Sequence, residues 1–309
     1  MSLSIWLGAL EQGLLWGAMV LGVYMTFRVL DFPDLTIDGA FTLGAAVAAK
    51  YILAGYDPWL VLLLAVLCGA LAGLVTGLLH THLKVAPLLS GILTMIALYS
   101  INLRIMGQAN LSLLRVKTIF TWVKGIPALG PYGPLLVGLI VVALVLILLY
   151  IFLETELGMS IRATGNNEHM VRSLGINTST MKLVGLAIAN ALVALSGGLV
   201  AQYQGFADIG MGIGMIVAGL AAVIIGEALV GAHTLVRALL AAVTGSIIYR
   251  VVISLVLQLG MPPTDLKLLT SLIVVIAMAF PLLRHRLGLR ALRLRSEQDA
   301  AAGQRKQNF

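Results

Sequence analysis

Nine stretches of this chain are nearly free of charge and at least about 18 residues long, enough to cross a hydrocarbon core about 30 Å thick. Their limits are 5–29, 37–55, 58–80, 87–106, 133–153, 183–203, 212–230, 234–258 and 265–283. Inside lipid a backbone has no water to bond to, so each stretch must form a helix or belong to a closed barrel. The alternating pattern of barrel strands is absent. The expected fold is therefore all-α: a polytopic helical membrane protein with about nine transmembrane helices. They would form one membrane domain, residues 1–283, followed by a basic tail, 284–309. Composition agrees, with 60% hydrophobic and only 11% charged residues in a chain of 309, where a soluble protein carries about a quarter charged. The net charge of +7 points to membrane topology and not to nucleic acid, because Arg284, Arg286, Arg290, Arg293 and Arg295 cluster just past the last span. Cys68 is the one cysteine. It excludes a disulfide within the chain, and no His/Cys/Glu cluster suggests a metal. The N-terminus lacks the basic start and short apolar region of a cleaved signal, so 5–29 reads as a retained first helix.

Basic residues also set the orientation. With the Arg-rich tail in the cytoplasm, residues 80–84, 154–182 and 231–233 fall inside, and the N-terminus and 107–132 fall outside. Arg115, Lys117 and Lys124 run against that rule. An offset of 174 residues lays the first four spans (about 5–106) over the last four (about 183–283), and aligns Phe32-Pro33-Asp34-Leu35 with Phe206-Ala207-Asp208-Ile209. Five spans separate the units, an odd number, so the repeats would be inverted, an architecture of transporters.

The cytoplasmic stretch 154–182 reads as the holder of a short capped helix over 166–174. Asn166 would be its N-cap, Glu168 would sit in the first turn, Arg172 in the last, and Gly175 in a left-handed C′ position. Such a helix is too short to persist alone in water and must pack on its own spans or on a partner. The pattern Gly158-x-x-x-Arg162-Ala163-Thr164-Gly165-Asn166, with Gly175-Ile176 further on, resembles the signature loop of binding-protein-dependent ABC importer permeases. The chain is similar to the branched-chain amino-acid and ribose permease superfamily, and within it to the single-permease subgroup of the tryptophan and tyrosine type. The resemblance implies a type II ABC importer-like permease domain in a bacterial cytoplasmic (inner) membrane. It implies a coupling helix that docks a partner ATPase carrying ATP and magnesium, with Gly158, Arg162, Ala163, Thr164, Gly165, Asn166, Asn167, Glu168, Arg172 and Gly175 as contacts. The other implied partners are an extracytoplasmic solute-binding protein, a second permease copy in a homodimer, and membrane lipids.

Other polar residues interrupt the apolar pattern. Asp31-Phe-Pro-Asp34-Leu-Thr-Ile-Asp38-Gly39 joins two spans just after Arg28. It reads either as a cytoplasmic turn with Arg28 paired to Asp31 or Asp34, or as a discontinuous helix at membrane depth, where freed helix ends line a path. Glycines alternate in Phe206-Ala-Asp208-Ile-Gly210-Met-Gly212-Ile-Gly214. They favour neither helix nor strand and suit an irregular segment or a close helix crossing near the outer surface. Glu11, Asn102, Arg104, Asn190, Glu227 and Arg250 lie in or near spans, where polar groups are costly and face protein or water. Asp34, Asp38, Asn102, Asn190, Asp208 and Gly212 are the candidates for the translocation pathway. The small-residue face Gly69-x-x-x-Gly73-x-x-x-Gly77 fits close helix packing. No phosphate-binding Gly-x-x-x-x-Gly-Lys-Ser/Thr pattern and no Gly-x-Ser-x-Gly elbow occur, so this chain is expected to be a non-catalytic subunit without a cofactor of its own. The expected function is permeation of a small hydrophobic solute, such as an aromatic or branched-chain amino acid. A secondary transporter, or an ABC permease for sugars or nucleosides, is the alternative.

Overall fold

The computed structural model describes residues 3–114, 116–125 and 130–260, with isolated positions between 265 and 275. Helix α1 (Leu3–Tyr24) runs straight into a π-helical turn (Met25–Val29). After a break come α2 (Thr36–Leu53), α3 (Pro58–Thr81) and α4 (Pro87–Met106). Strand β1 (Asn110–Ser112) and α5 (Ile119–Lys124) precede a 3-10 turn (Gly130–Tyr132) and α6 (Gly133–Glu154). Next are α7 (Glu156–Asn166), α8 (Glu168–Ser173) and α9 (Thr178–Gln204). Strand β2 (Phe206–Asp208), α10 (Met215–Val230) and α11 (Leu235–Gln258) complete the described elements.

Among the described residues seven helices are long and apolar enough to cross a membrane, and the chain is an all-α polytopic membrane protein. They coincide with seven of the nine expected spans. The eighth, 212–230, is realised as α10, only 16 residues long. At 1.5 Å per residue that is about 24 Å, because the chain stays irregular until Gly214. The ninth, 265–283, falls mostly outside the described residues, as does the basic tail. Residues 206–208 are a short antiparallel partner of 110–112, with Leu111 opposite Ala207. The alternating glycines begin only after this strand, so the expectation of no strand holds for 209–214 but not for 206–208.

Helix starts are fixed by local chemistry. Asp57 caps α3 by accepting from the amides of Trp59 (2.8 Å) and Leu60 (3.3 Å), with Pro58 at the first helical position, where its missing N–H costs nothing. Asn177 caps α9, and Thr234 caps α11. Helix α10 lacks a cap of its own. Asp38 of α2 supplies it from across the fold, accepting from Gly214 N (2.8 Å) and Ile216 N (2.9 Å). Thus the starts of α2 and α10 meet inside the bundle, and one carboxylate satisfies amides that lipid could not.

Packing is layered around α2, which is mostly buried, while α4 and α6 at the periphery are mostly uncovered. Lipid offers apolar side chains nothing that protein does not, so helix association depends on close backbone contact at small residues. Gly69, Gly73 and Gly77 of α3 face Asn190, Leu186 and Leu183 of α9, and a Cβ at Gly73 would lie 2.2 Å from Leu186 O. Gly44 and Gly197 close α2 on α9 in the same way, at 1.9 Å from Ala194 O and 2.0 Å from Phe41 O.

Contacts recur under the offset of 174. Gly73 meets Ala187, and Ile247 meets Gly13. Gly22 meets Ala189 O, and Ser196 Oγ donates to Leu15 O at 2.8 Å. Ile216 N donates to Asp38, and Gly212 N donates to Thr42 Oγ1 at 3.1 Å. Asp34 accepts from Thr36 N at 2.9 Å, and Asp208 from Gly210 N at 2.8 Å. Asp38 itself meets Gly212, whose Cβ would lie 2.0 Å from Asp38 O; that pair maps onto itself.

The cap at Asp38 makes a measurable demand. Asp38→Ala should destabilise the detergent-solubilised chain by about 1–2 kcal/mol, the value of a lost N-cap, and Asp38→Asn, which keeps an acceptor, by less. Equilibrium unfolding of the three proteins checks the order.

Candidate functional site

The first candidate region is the break between the π-turn and α2. A π-turn puts an extra residue into a helix and often marks a functional segment. Here it delivers Arg28 to Glu227 at the end of α10, where Nε donates at 2.9 Å and a second guanidinium nitrogen closes a two-pronged ion pair. Arg28 therefore does not pair with Asp31 or Asp34. Asp31 is exposed and turns the chain in a left-handed conformation, φ 51°, which Asp tolerates better than most residues. Asp34 lies fully buried and accepts from Asn190 Nδ2 (2.7 Å) as well as from Thr36 N. Thr36, Thr76 and Thr94 form a buried hydroxyl chain beside it, with contacts of 2.6 and 2.9 Å. Asn102 Nδ2 donates to Gly39 O at 3.1 Å.

The structure thus joins Asp34 to Asn190, and Asp38 to Gly212, across the two parts of the chain. Asp208 stands apart and accepts from Asn110 Nδ2 (3.2 Å) beside the strand pair. All six pathway candidates are held by internal contacts.

The second region is 154–182, a bent pair of helices and not one helix over 166–174. Thr155 caps α7 by accepting from Gly158 N at 3.2 Å. The N-cap of α8 is Asn167, whose Oδ1 accepts from Met170 N at 3.1 Å. Asn166 cannot serve, because it still belongs to α7. Glu168 does fall in the first turn, Arg172 in the last, and Gly175 is left-handed at φ 83°. The signal for α7 was in the sequence: Thr155 and Glu156 open it, and Gly158, Ile161 and Thr164 form its buried face.

Two contacts tie this pair to the membrane helices. Gly165 lies so close to the π-turn that a Cβ would sit 2.1 Å from Val29 O. Glu168 accepts from Arg172 (2.6 Å), Thr178 (3.1 Å) and Lys182 (2.8 Å). Lys182 Nζ is also 3.3 Å from His80 Nε2, and His80 Nδ1 is 2.9 Å from Val85 O. An ammonium only donates, so His80 carries its proton on Nδ1 and gives it to Val85 O. The His80 ring rests edge-on against Phe32 in the break. Arg162 is half exposed and 3.7 Å from Glu154. Burial alone would raise the Glu168 carboxyl, but Lys182, Thr178 and Arg172 outweigh it and hold the group below its ordinary range.

Comparison with known proteins adds the family context. The family described as branched-chain amino acid transport system, permease component, matches residues 5–279. The tyrosine transport system permease protein of Clostridioides difficile is 44% identical over 273 residues, covering 88% of this chain and 90% of its own length. An uncharacterized protein of Rickettsia prowazekii is 34% identical over 281 residues, 90% of this chain and 98% of its own. The autoinducer 2 import system permease protein of Yersinia pestis is 28% identical over 231 residues, 71% of this chain and 60% of its own. No solved structure matches the chain.

The α8 anchor is testable by pH. A depressed carboxyl stabilises above its ordinary pKa and stops doing so as pH falls through the folded value. A nitroxide at exposed Met170 should be immobile at neutral pH and still so at the ordinary glutamate pKa, about 4.3, becoming mobile only further into acid as Glu168 itself is protonated. In Glu168→Gln it should be mobile at neutral pH; an immobile label there would remove the anchor.

Proposed function

The chain belongs to the branched-chain amino acid transport permease family, and on that premise we propose that it is the membrane subunit of an ATP-driven importer for aromatic amino acids. Two copies would enclose one path, each offering its α7–α8 pair to an ATPase that binds ATP with magnesium in the cytoplasm. A binding protein would deliver solute on the opposite face, beside the β1–β2 pair. In this reading α7, α8 and the C-terminus lie on the cytoplasmic side of a bacterial cytoplasmic membrane, and the N-terminus lies on the outer side. The high similarity to a tyrosine transport permease supports the solute class.

The observation that carries the reading is the contact of Gly165 with the backbone of Val29 and Leu30. An ATPase that shifts α7 must also push the π-turn, because no side chain cushions the contact. From there the break at Asp34 and the Arg28–Glu227 pair link the movement to α2 and α10. Gly158, Arg162, Ala163, Thr164, Asn166, Asn167, Glu168, Arg172 and Gly175 would form or hold the docking surface. The contacts that recur under the offset of 174 support an inverted repeat, 5–106 with 183–283, with Asp38 and Gly212 on its axis. In this reading Asp34, Asp38, Asn102, Asn190, Asp208 and Gly212 shape and brace the path, and solute passes beside them.

The test is uptake in proteoliposomes holding the permease, its ATPase and its binding protein. Gly165→Ala inserts a methyl where overpacking costs about 1–3 kcal/mol, and should cut L-tyrosine uptake about tenfold while ATP hydrolysis continues. Arg162→Glu, at the proposed docking surface, should also uncouple the two. Unchanged uptake in both variants would falsify the coupling assignment, and uptake driven by an ion gradient without the ATPase would replace it with secondary transport.

A further inference from the structure

A cavity of about 360 Å³ opens between α1, α10 and α11, lined by Trp16, Met215, Val217, Tyr249, Arg250 and Ile253 among others. That volume lies at the small end of ligand pockets, about 300–1,000 Å³, and suits one small metabolite. Its walls are mostly apolar, with Thr270 and Ser271 at one side. Arg250 is the charged residue among them. Its guanidinium carbon lies 3.0 Å from the centre of the Trp16 ring, and among the described residues its buried Nε has no acceptor and no carboxylate pairs with it. The indole N–H of Trp16 is likewise buried without an acceptor.

A guanidinium in a membrane helix that meets an aromatic face and no anion is still expensive, and two buried donors without acceptors add to the cost. Asp38 does not relieve it, since its oxygens are committed to the α10 amides. Glu11 accepts from Tyr203 at 2.7 Å. The missing element is an anion, and a guanidinium fits a carboxylate with two parallel hydrogen bonds. Met215, Val217, Ile253 and the Tyr249 ring offer an apolar body nearby.

We propose that this cavity is a solute subsite in which Arg250 takes the carboxylate of a small organic acid with a bulky apolar side chain. The inference rests on the importer reading and names the part of the permease that recognises its solute. The offset of 174 adds an independent reason. It carries Arg250 back to Thr76, Trp16 forward to Asn190, and Asp208 back to Asp34. At the first set of positions the space is filled by the Thr36–Thr76–Thr94 chain and the Asn190–Asp34 bond; at the second it stands open. The first set pairs its polar groups across the helices and leaves one Asn190 amide oxygen without a donor; the second sets Arg250 and Trp16 beside a cavity, each with a buried N–H that has no acceptor among the described residues.

The experiment measures uptake of L-tyrosine, L-leucine and D-ribose by the full complex, comparing wild type with Arg250→Gln, Arg250→Lys and Trp16→Phe, each checked for co-purification with the ATPase. Amino-acid uptake should fall about 10- to 100-fold in Arg250→Gln, the loss of one charged hydrogen-bonding group. Arg250→Lys should recover part of it with a raised KM, and Trp16→Phe should lose less than tenfold. If wild type carries an amino acid and the Arg250 variants match it in rate and KM, the subsite is refuted and the importer reading stands. If only D-ribose is carried, the subsite and the amino-acid reading fall together. If Arg250→Gln no longer assembles with the ATPase while Arg250→Lys transports at the wild-type KM, Arg250 is a packing residue and the proposal is overturned.

Discussion

A carboxylate that caps a helix it does not belong to holds this architecture together. Asp38 sits in the first turn of α2, yet its acceptors serve Gly214 and Ile216 at the start of α10. Without it α10 would begin with free amides in a region lipid keeps dry. With it, α2 and α10 can both begin inside the bundle, and the chain is free to bend at 30–35 and 209–214. Glycine seams run from the same place: Gly212 lies against Asp38 O beside the cap, and Gly44 lies against Ala194 O further along α2.

Much of the fold was legible because lipid leaves few solutions. Length and apolarity located the spans, and Pro58, Asp57, Asn177 and Thr234 marked helix starts through local rules. What stayed hidden was non-local. Nothing near Gly214 in sequence announces that its helix is capped from residue 38, so α10 reads as a longer span. Arg28 has acids within six residues, and sequence distance favours them; the π-turn rotates it toward Glu227 instead. The site was legible in the same uneven way. Glu168, Arg172 and Gly175 took the places their types suggest, whereas Asn166 and Asn167 are indistinguishable until the end of α7 is known. Arg250 stood out only as a costly residue, since its neighbour Trp16 lies on a helix more than two hundred positions earlier.

The two regions singled out here differ in how they resist motion. The contact at Gly165 is backbone against helix, stiff because atoms cannot interpenetrate. The Glu168 cluster is polar and partly exposed, so solvent weakens each of its bonds. A force applied to α7 and α8 therefore meets one hard point and one compliant one. The hard point leads to the π-turn and the break; the compliant one leads through Lys182 and His80 to the ring of Phe32.

The Arg28–Glu227 pair gives this contrast a time dimension. Its arginine is half exposed, 52% against 16% for the glutamate, so water and salt screen one side of a pair that two prongs hold on the other. It is a fastener at the edge of the bundle, open to ions from the water beside it. Opening at that end is a matter of frequency, set by ionic strength and by whatever leans on the π-turn, while the capped seam at Asp38 persists as the pivot.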